Sequence, residues 1–364
     1  MEHEMRSART TVLVTAIGGG GVGEQVLKAL RMAGGYRIVG CDIRPRCPQF
    51  ALVNQAVTLP PANAPDYLDA LLAVSLKLGV RAIFPGSELE LRVISRARDA
   101  FEAAGLFLAL NTPEVIEIGM NKVATAEFLA AHGFRPPRSL RVQALDDLVA
   151  VDWFPVILKP AAGGGGSRDC FIAQSRRELE LVGEYLLAAG GEMMVQEYVG
   201  TPDEEYTVGV LHDMDGNFVN SIALRRLVQG QLHTRVRVAN RTGRKELGEE
   251  LVISSGVSHG YIGEFPDVTG PCERIAAALG ARGPLNVQCR LMDGEVRVFE
   301  INPRFSGTTS IRAMVGFNEP DLLLRRHLLG EELEVRFRYQ SALVLRSLTE
   351  DIVADRDAVD WRHV

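Results

Sequence analysis

Residues 11–43 place the strongest constraint on the fold. An apolar run, TVLVTAI (11–17), leads into GGGGVG (18–23), and a helical pattern follows that keeps Val22, Val26, Leu27 and Leu30 on one face. A second strand-like run, RIVGCDI (37–43), comes next. Apolar residues at helical spacing between two β-rich runs predict a βαβ unit, whose strands lie parallel with the helix crossing one face. The alternation continues with a helix over about 66–78 and a strand at 80–84, then a helix from about 88 opened by Ser87 with Glu90 three residues on, and a strand at 106–109. Residues 1–112 therefore read as one doubly wound, Rossmann-like α/β domain.

Thr112-Pro113 opens a short helix, a second helix ends at Gly133, and Pro136-Pro137 forces extended backbone at a boundary. From about 135 the texture changes. FPVILKPA and RDCFIA read as two strands joined by a glycine loop, followed by a helix at about 176–189 and a strand at 193–199. Linker helices and this small α+β lobe thus occupy 113–197. A larger lobe, 198–335, holds EYTVGVLHD, a charged hairpin region at 222–246, a helix at about 270–280, and the strand pair NVQCRLM / EVRVFEIN turning at Asp293-Gly294. Residues 336–364 read as a peripheral tail.

Composition narrows the function. The formal net charge of −6 and the absence of a basic run interleaved with aromatics argue against nucleic acid as the main partner. No apolar stretch approaches the roughly 20 residues that cross a bilayer, and MEHEMRSART at the start alternates charge where a leader needs an apolar block, so a cytoplasmic protein is expected. Five scattered cysteines without a C-x-x-C spacing give neither a disulfide framework nor a structural zinc site.

Two glycine runs compete for a phosphate. In the first, Gly18, Gly20 and Gly23 form G-x-G-x-x-G after a strand, and Asp42 stands near the position of a ribose-binding acid. The same turn also packs helix against strand without any cofactor. In the second, Lys159 precedes Gly163–Gly166 and Ser167, whose amides and hydroxyl suit phosphate oxygens, although a mobile hairpin has the same look. The stretch 286–304 weighs more. Side-chain alternation places Asn286, Gln288 and Arg290 on one face of a strand, with Glu300 and Asn302 on one face of its partner. Amide and carboxylate oxygens converging on one wall suit magnesium, which completes its shell with water and nucleotide phosphates. Arg304, just past Pro303, is placed to neutralise charge on a transferred phosphoryl group.

Taken together, MNK (120–122), FPVILKP…GGGG (154–166), VQEYV (195–199), EEYTV (204–208), NVQ (286–288) and EINPRFSGTTS (300–310) resemble the ATP-grasp superfamily, and within it one synthetase unit of the carbamoyl phosphate synthetase large subunit. The resemblance spans about 10–335. It implies a Rossmann-like pre-ATP-grasp domain followed by two α+β lobes that clamp ATP, with a carboxylate converted to an acyl phosphate and captured by an amine. Lys122 and Lys159 match the family's basic ATP ligands, and Gly163, Gly164, Gly165, Gly166 and Ser167 match its phosphate loop. Glu197 and Val199 match the adenine hinge, and Glu205 matches the ribose carboxylate. Gln288, Glu300 and Asn302 match the ligands of Mg2+ (or Mn2+), and Arg304 matches the arginine that steadies the acyl phosphate. The family habit also allows a homodimer.

Two departures limit the analogy. The unit occurs once here, with no glutamine-hydrolysing segment, which disfavours carbamoyl phosphate synthesis. The region 222–246 carries Arg225, Arg226, Arg235, Arg237, Arg241, Arg244 and Lys245 against Glu246 alone. These cations either orient an anionic substrate, with Arg226, Arg235 and Arg237 as candidate contacts together with Arg312 from the loop 305–312, or form a solvated edge that resists aggregation. The resulting expectation is an ADP-forming ligase that joins a small carboxylate to an amine, for which an amino acid is one candidate. The alternatives are a bicarbonate-using carboxylating or carbamate-forming enzyme, an NAD(P)-dependent oxidoreductase built on the first glycine run, and a nucleotide-binding regulatory protein without turnover.

Overall fold

The computed structural model describes residues 10–163, 167, 169–350, 353 and 357–364. A six-stranded sheet contains, in spatial order, Val359–Asp360, Gln55–Thr58, Tyr36–Asp42, Thr10–Val14, Ala82–Phe84 and Phe107–Leu108. Every pairing in it is parallel. Its strands read as near-continuous apolar runs because helices cover both faces, with Val12, Val14, Val26, Leu27 and Leu30 packed on one side and Leu13, Val39, Leu71, Val74 and Ile83 on the other.

The turn after the first strand is closed by the protein itself. Asp42 accepts hydrogen bonds from the Gly18 amide (2.8 Å) and the Arg44 amide (3.1 Å). Its carboxylate therefore supports the loop that a dinucleotide fingerprint would leave open for a ribose. At Gly23 a Cβ would lie 2.3 Å from the Thr15 carbonyl oxygen, and at Gly86 it would lie 2.0 Å from the same atom. The strand end, the helix start and the 86–87 loop meet here with room for hydrogen only. Gly23→Ala is accordingly expected to destabilise the protein by roughly 1–3 kcal/mol, the usual cost of overpacking, and the shift in urea midpoint measures it.

Ser87 caps the helix Glu88–Arg96 by accepting from the Glu90 amide, and Thr112 caps Pro113–Met120 in the same way, so both helix starts lie where the sequence places them. A four-stranded antiparallel sheet follows, ordered Ser139–Val142, Met193–Glu197, Val156–Pro160 and Phe171–Ala173, with the helix Arg176–Ala188 against it. A second six-stranded sheet, fully antiparallel, runs Glu295–Asn302, Pro284–Met292, Glu205–His212, Phe218–Arg226, Gly260–Gly263 and Ala342–Val344. Its helix, Pro266–Leu279, buries Val268, Cys272 and Ile275.

Residues 336–364, expected as a peripheral tail, instead supply edge strands to two sheets. Ala342–Val344 pairs with Gly260–Gly263, and Val359–Asp360 pairs with Gln55–Thr58. Strands of two or three residues carry no legible period, so alternation cannot announce them. The parallel domain is also fixed to the antiparallel sheet, because Val14, Val26 and Phe84 share one apolar cluster with Leu211, Ile222, Phe305 and Phe317. The orientation that sets the site is therefore held by packing.

Candidate active site

The hairpin at 284–302 builds the floor of the site. Asp293 (φ 53°) and Gly294 (φ 75°) form its left-handed turn. The register then sets Asn286 opposite Asn302 and Gln288 opposite Glu300. Beyond Gln288 the register slips, with Cys289 opposite Val298, which leaves Phe299 as the extra residue of a bulge. The slip frees the Phe299 carbonyl, which accepts from Lys159 Nζ at 3.3 Å. Gln288 and Glu300 are half-buried, and neither side chain hydrogen-bonds to another described residue, so their oxygens remain open.

Lys159 reaches this floor from the four-stranded sheet. It is buried, and its ammonium also donates to Gln196 Oε1 at 2.7 Å. Burial lowers its pKa and nearby Lys122 lowers it further; Glu300 offsets part of this, and the result is about 8. Lys122 Nζ donates to the Gly163 carbonyl at 2.8 Å, and Ser167 Oγ donates to the Ser254 carbonyl at 2.8 Å. Both ends of the glycine loop are thus tied, one to each lobe. Gly164, Gly165 and Gly166, expected to hold phosphates, lie outside the described residues.

The structure brings most of the expected set together. Lys122, Lys159, Ser167, Gln288 and Glu300 line a single cleft between the lobes, and Glu197, Val199 and Glu205 close its far end. Ile157, Val252 and Phe299 give that cleft apolar walls. Asn302 and Arg304 line a small adjoining cavity with Gly163, Lys122, Glu300 and Glu88. Arg304 Nη2 donates to Glu88 Oε1 (2.7 Å) and Asn302 Oδ1 (2.9 Å), so the parallel domain aims the arginine. Burial pushes the Glu88 carboxyl up, but Arg304 and then Lys122 outweigh it and hold it below its usual range.

Several of the expected residues are already engaged within the protein. Glu205, expected as the ribose carboxylate, lines the cleft but is 2% exposed, and both of its oxygens are engaged by arginines. Arg226 Nη1 donates to one oxygen at 3.0 Å, while Arg290 donates to the other from Nη2 (2.9 Å) and Nε (3.1 Å). Arg312, expected at the substrate, is 1% exposed and is held by Glu319 (3.0 Å) and Asn286 (2.6 Å). Arg235 and Arg237 sit exposed on the separate two-stranded hairpin, where Arg237 pairs with Glu250. Arg241 pairs with Glu178 and Arg244 with Glu246, which fastens much of the basic segment to the small lobe and to its own hairpin. Of the four candidate substrate arginines, only Arg226 lines a cavity beside the site.

Sequence reasoning missed Glu88, Gln196 and the Arg226–Glu205–Arg290 triad. Their partners lie far apart in sequence, and no local spacing marks them. It also missed the cavity of about 580 Å³ that opens beyond Gln288, Glu300 and Arg304 and is walled by Gly19–Val22, Ser255–Ser258 and Ser306. The glycine turn therefore borders this cavity as a wall, through Gly19–Val22. The residue set fits a divalent cation: Gln288 and Glu300 offer uncommitted oxygens on one face, and the Asn302 Oδ1 lies beside them, where it accepts from Arg304.

The family model described as ATP-grasp in the biosynthetic pathway with Ter operon matches residues 190–350, and that of the PylC-like N-terminal domain matches 12–109. Among curated proteins, the carbamoyl phosphate synthase large chain of Thermoplasma acidophilum is 27% identical over 209 residues, covering 56% of this chain and 18% of its own length. The formate-dependent phosphoribosylglycinamide formyltransferase of Burkholderia thailandensis is 24% identical over 303 residues, covering 80% of this chain and 68% of its own. Among solved structures, N5-carboxyaminoimidazole ribonucleotide synthetase from Thermotoga maritima superposes with a TM-score of 0.60 at 18% identity, covering 94% of this chain and 82% of that one. The L-amino acid ligase from Bacillus licheniformis gives 0.61 at 17% identity, covering 88% and 74%. These likenesses show the fold: two α+β lobes that enclose a cleft, preceded by a Rossmann-like domain.

Proposed function

We propose, from this chain's place in the ATP-grasp superfamily, that it is an ADP-forming ligase which activates a carboxylate as its acyl phosphate and passes the acyl group to an amine. The observation that carries this reading is the cross-strand pair Gln288 and Glu300, with Asn302 and Arg304 beside it, on the floor of a cleft roofed by Lys122 and Lys159.

The apolar end of the cleft receives the adenine, and the two lysines take the phosphates. Gln288, Glu300 and Asn302 would hold Mg2+, which when bound neutralises phosphate charge and orients the γ-phosphoryl group. Arg304, aimed by Glu88, stabilises charge on the transferring phosphoryl group and then on the acyl phosphate. The carboxylate attacks the γ-phosphorus and ADP leaves. The amine then attacks the acyl carbon, phosphate leaves, and the amine loses its proton. No protein nucleophile is required, since positioning and electrostatics supply the rate.

The test is phosphate release by the purified protein with ATP and magnesium against paired pools of carboxylates and amines, with formate and bicarbonate among the acids. Release that requires both components supports the reading. Absence of release with every pair, in protein that binds ATP, contradicts it.

The lysine predicts a pH dependence. With a pKa of about 8, free Lys159 is largely neutral at pH 9. Phosphates favour its charged form, so ATP binding must then take up a proton. ATP affinity is expected to fall about fivefold between pH 8 and pH 9 by proton linkage, and Lys159→Met is expected to flatten that profile in calorimetry. Without nucleotide the sign reverses: the unfolded chain keeps this proton up to its ordinary pKa of about 10.4, so stability from this group rises with pH above about 8.

A further inference from the structure

The central antiparallel sheet carries two adjacent rows of side chains on one face. Thr207 stands opposite Leu224 on one side and Gln288 on the other, and Gln288 stands opposite Glu300, so these four residues cross four strands in a line. Two residues along the same strands, and therefore on the same face, lie Arg226, Glu205 and Arg290. The first row carries the oxygens of the site. The second carries its charge, and that charge does not balance.

Two guanidiniums share one carboxylate in this row, and none of the three side chains is more than 6% exposed. Besides Glu205, the acid that acts on Arg226 is Glu300, whose carboxylate the ligase reading gives to a divalent cation. Burial lowers the Arg226 pKa; Glu205 offsets part of this and Arg290 lowers it again, as expected of a buried cation that shares its counter-ion. Its donors are unevenly used. Of the five N–H bonds of an arginine, Nη1 spends two, on Glu205 Oε1 (3.0 Å) and Ser254 Oγ (2.8 Å), and Nη2 spends one on the Ser255 carbonyl (2.7 Å). No described residue accepts from Nε or takes a second bond from Nη2. Those two atoms form one edge of the planar group, an edge that receives a carboxylate or phosphate through two parallel bonds.

Arg226 lines the cavity of about 580 Å³ that also holds Gln288, Glu300 and Arg304, whereas Arg290 lines the nucleotide cleft. The strands of Glu300 and Arg226 are three spacings apart in the sheet, about 14 Å between backbones. Side chains leaning in from both ends shorten that span to the length of a small molecule. Among the described residues lining the cavity, only Val22 and Val257 carry apolar side chains, so the space suits a polar occupant.

We propose that the acid activated in this cavity is dianionic: one carboxylate lies by Gln288, Glu300 and Arg304, and a second acidic group, carboxylate or phosphate, docks on the Nε–Nη2 edge of Arg226. The second group supplies the negative charge that the Arg226–Glu205–Arg290 row lacks. Its role as substrate rests on the ligase reading, whereas the anion subsite is tested without turnover.

The experiment is calorimetry on the full chain with ADP and magnesium, titrating butyrate, succinate and 3-phosphonopropionate. Succinate or the phosphonate is expected to bind about tenfold or more tightly than butyrate, the gain from a charge-assisted bidentate pair, and the tighter of the two identifies the second group. Arg226→Lys keeps a cation for Glu205 and removes the fork, while Arg226→Met leaves Glu205 and Arg290 as a balanced pair. Each is expected to cut dianion affinity about tenfold and to leave butyrate unchanged, and either one that folds reads the site. Equal affinity for all three ligands in the wild-type protein, absence of binding by all included, overturns the proposal. So does a dianion preference that survives in a folded variant. Dianion preference together with no phosphate release from any acid upholds the subsite and removes the ligase reading. Phosphate release as fast with monoacids as with diacids does the reverse.

Discussion

Glu300→Gln is expected to abolish phosphate release, by on the order of 10³-fold or more, the loss seen when a principal electrostatic stabiliser is removed, while leaving the fold intact. The asymmetry follows from its surroundings. Glu300 is half-buried and faces the cleft, and its side chain hydrogen-bonds to no described residue, so the amide orphans nothing in the resting protein. What it removes is negative charge where Gln288 and Asn302 contribute only dipoles. A second consequence distinguishes this from general damage. Glu300 partly sustains the charge on Lys159, so its loss lowers the lysine pKa further. The pH at which ATP affinity begins to fall is therefore expected to move down in Glu300→Gln. Circular dichroism checks the fold, steady-state phosphate release checks the rate, and calorimetry at several pH values checks the coupling. Retained turnover in this variant contradicts the role.

Glu205→Ala is expected to cost about 3–5 kcal/mol of stability, because breaking a buried ion pair leaves uncompensated charge. Here two charges are left. Arg226 is 4% exposed and Arg290 is 5% exposed, and Glu205 is the acid that bridges them. Arg290 also donates to the carbonyls of Val199 (3.1 Å) and Val252 (2.9 Å), and its guanidinium stacks 4.6 Å from the Tyr198 ring. The triad thus knits the hinge at 198–200 to the strand Glu250–Ser254 and the central sheet. Burial pushes the Glu205 carboxyl up, but Arg290 and then Arg226 outweigh it and hold it below its usual value. Its contribution is complete above the unfolded carboxylate pKa of about 4.3 and is lost as pH falls through the lowered folded value. Chemical denaturation at pH 7 followed by circular dichroism measures the effect. Glu205→Gln, which keeps two acceptor sites on its oxygen, is expected to lose less.

The two predictions also show what local sequence can reveal. Gln288, Glu300 and Asn302 are legible because alternation along two strands joined by Asp293-Gly294 fixes their common face within nineteen residues, 286–304. The capped helix starts at Ser87 and Thr112 are legible for the same reason, since cap and partner lie three residues apart. The ion-pairing of Glu205 is not legible because it depends on Arg226 and Arg290, 21 and 85 residues away. Arg312 resembles a surface arginine in sequence, yet Glu319 and Asn286 draw it into the core. The pairing of Arg241 and Arg237 in the basic segment is not legible either, because Glu178 and Glu250 meet them across folds of chain that no period encodes. The first glycine run shows the opposite case: its fingerprint is complete, and its acid is spent on the Gly18 and Arg44 amides.

One measurement addresses the central claim most directly: a crystal structure of the protein with a non-hydrolysable ATP analogue and Mn2+, using anomalous scattering to locate the metal. The predicted result is the triphosphate beneath Lys122 and Lys159, with metal density in contact with Gln288, Glu300 and Asn302. Nucleotide bound at Gly18–Gly23, or metal density away from those three side chains, would contradict the account.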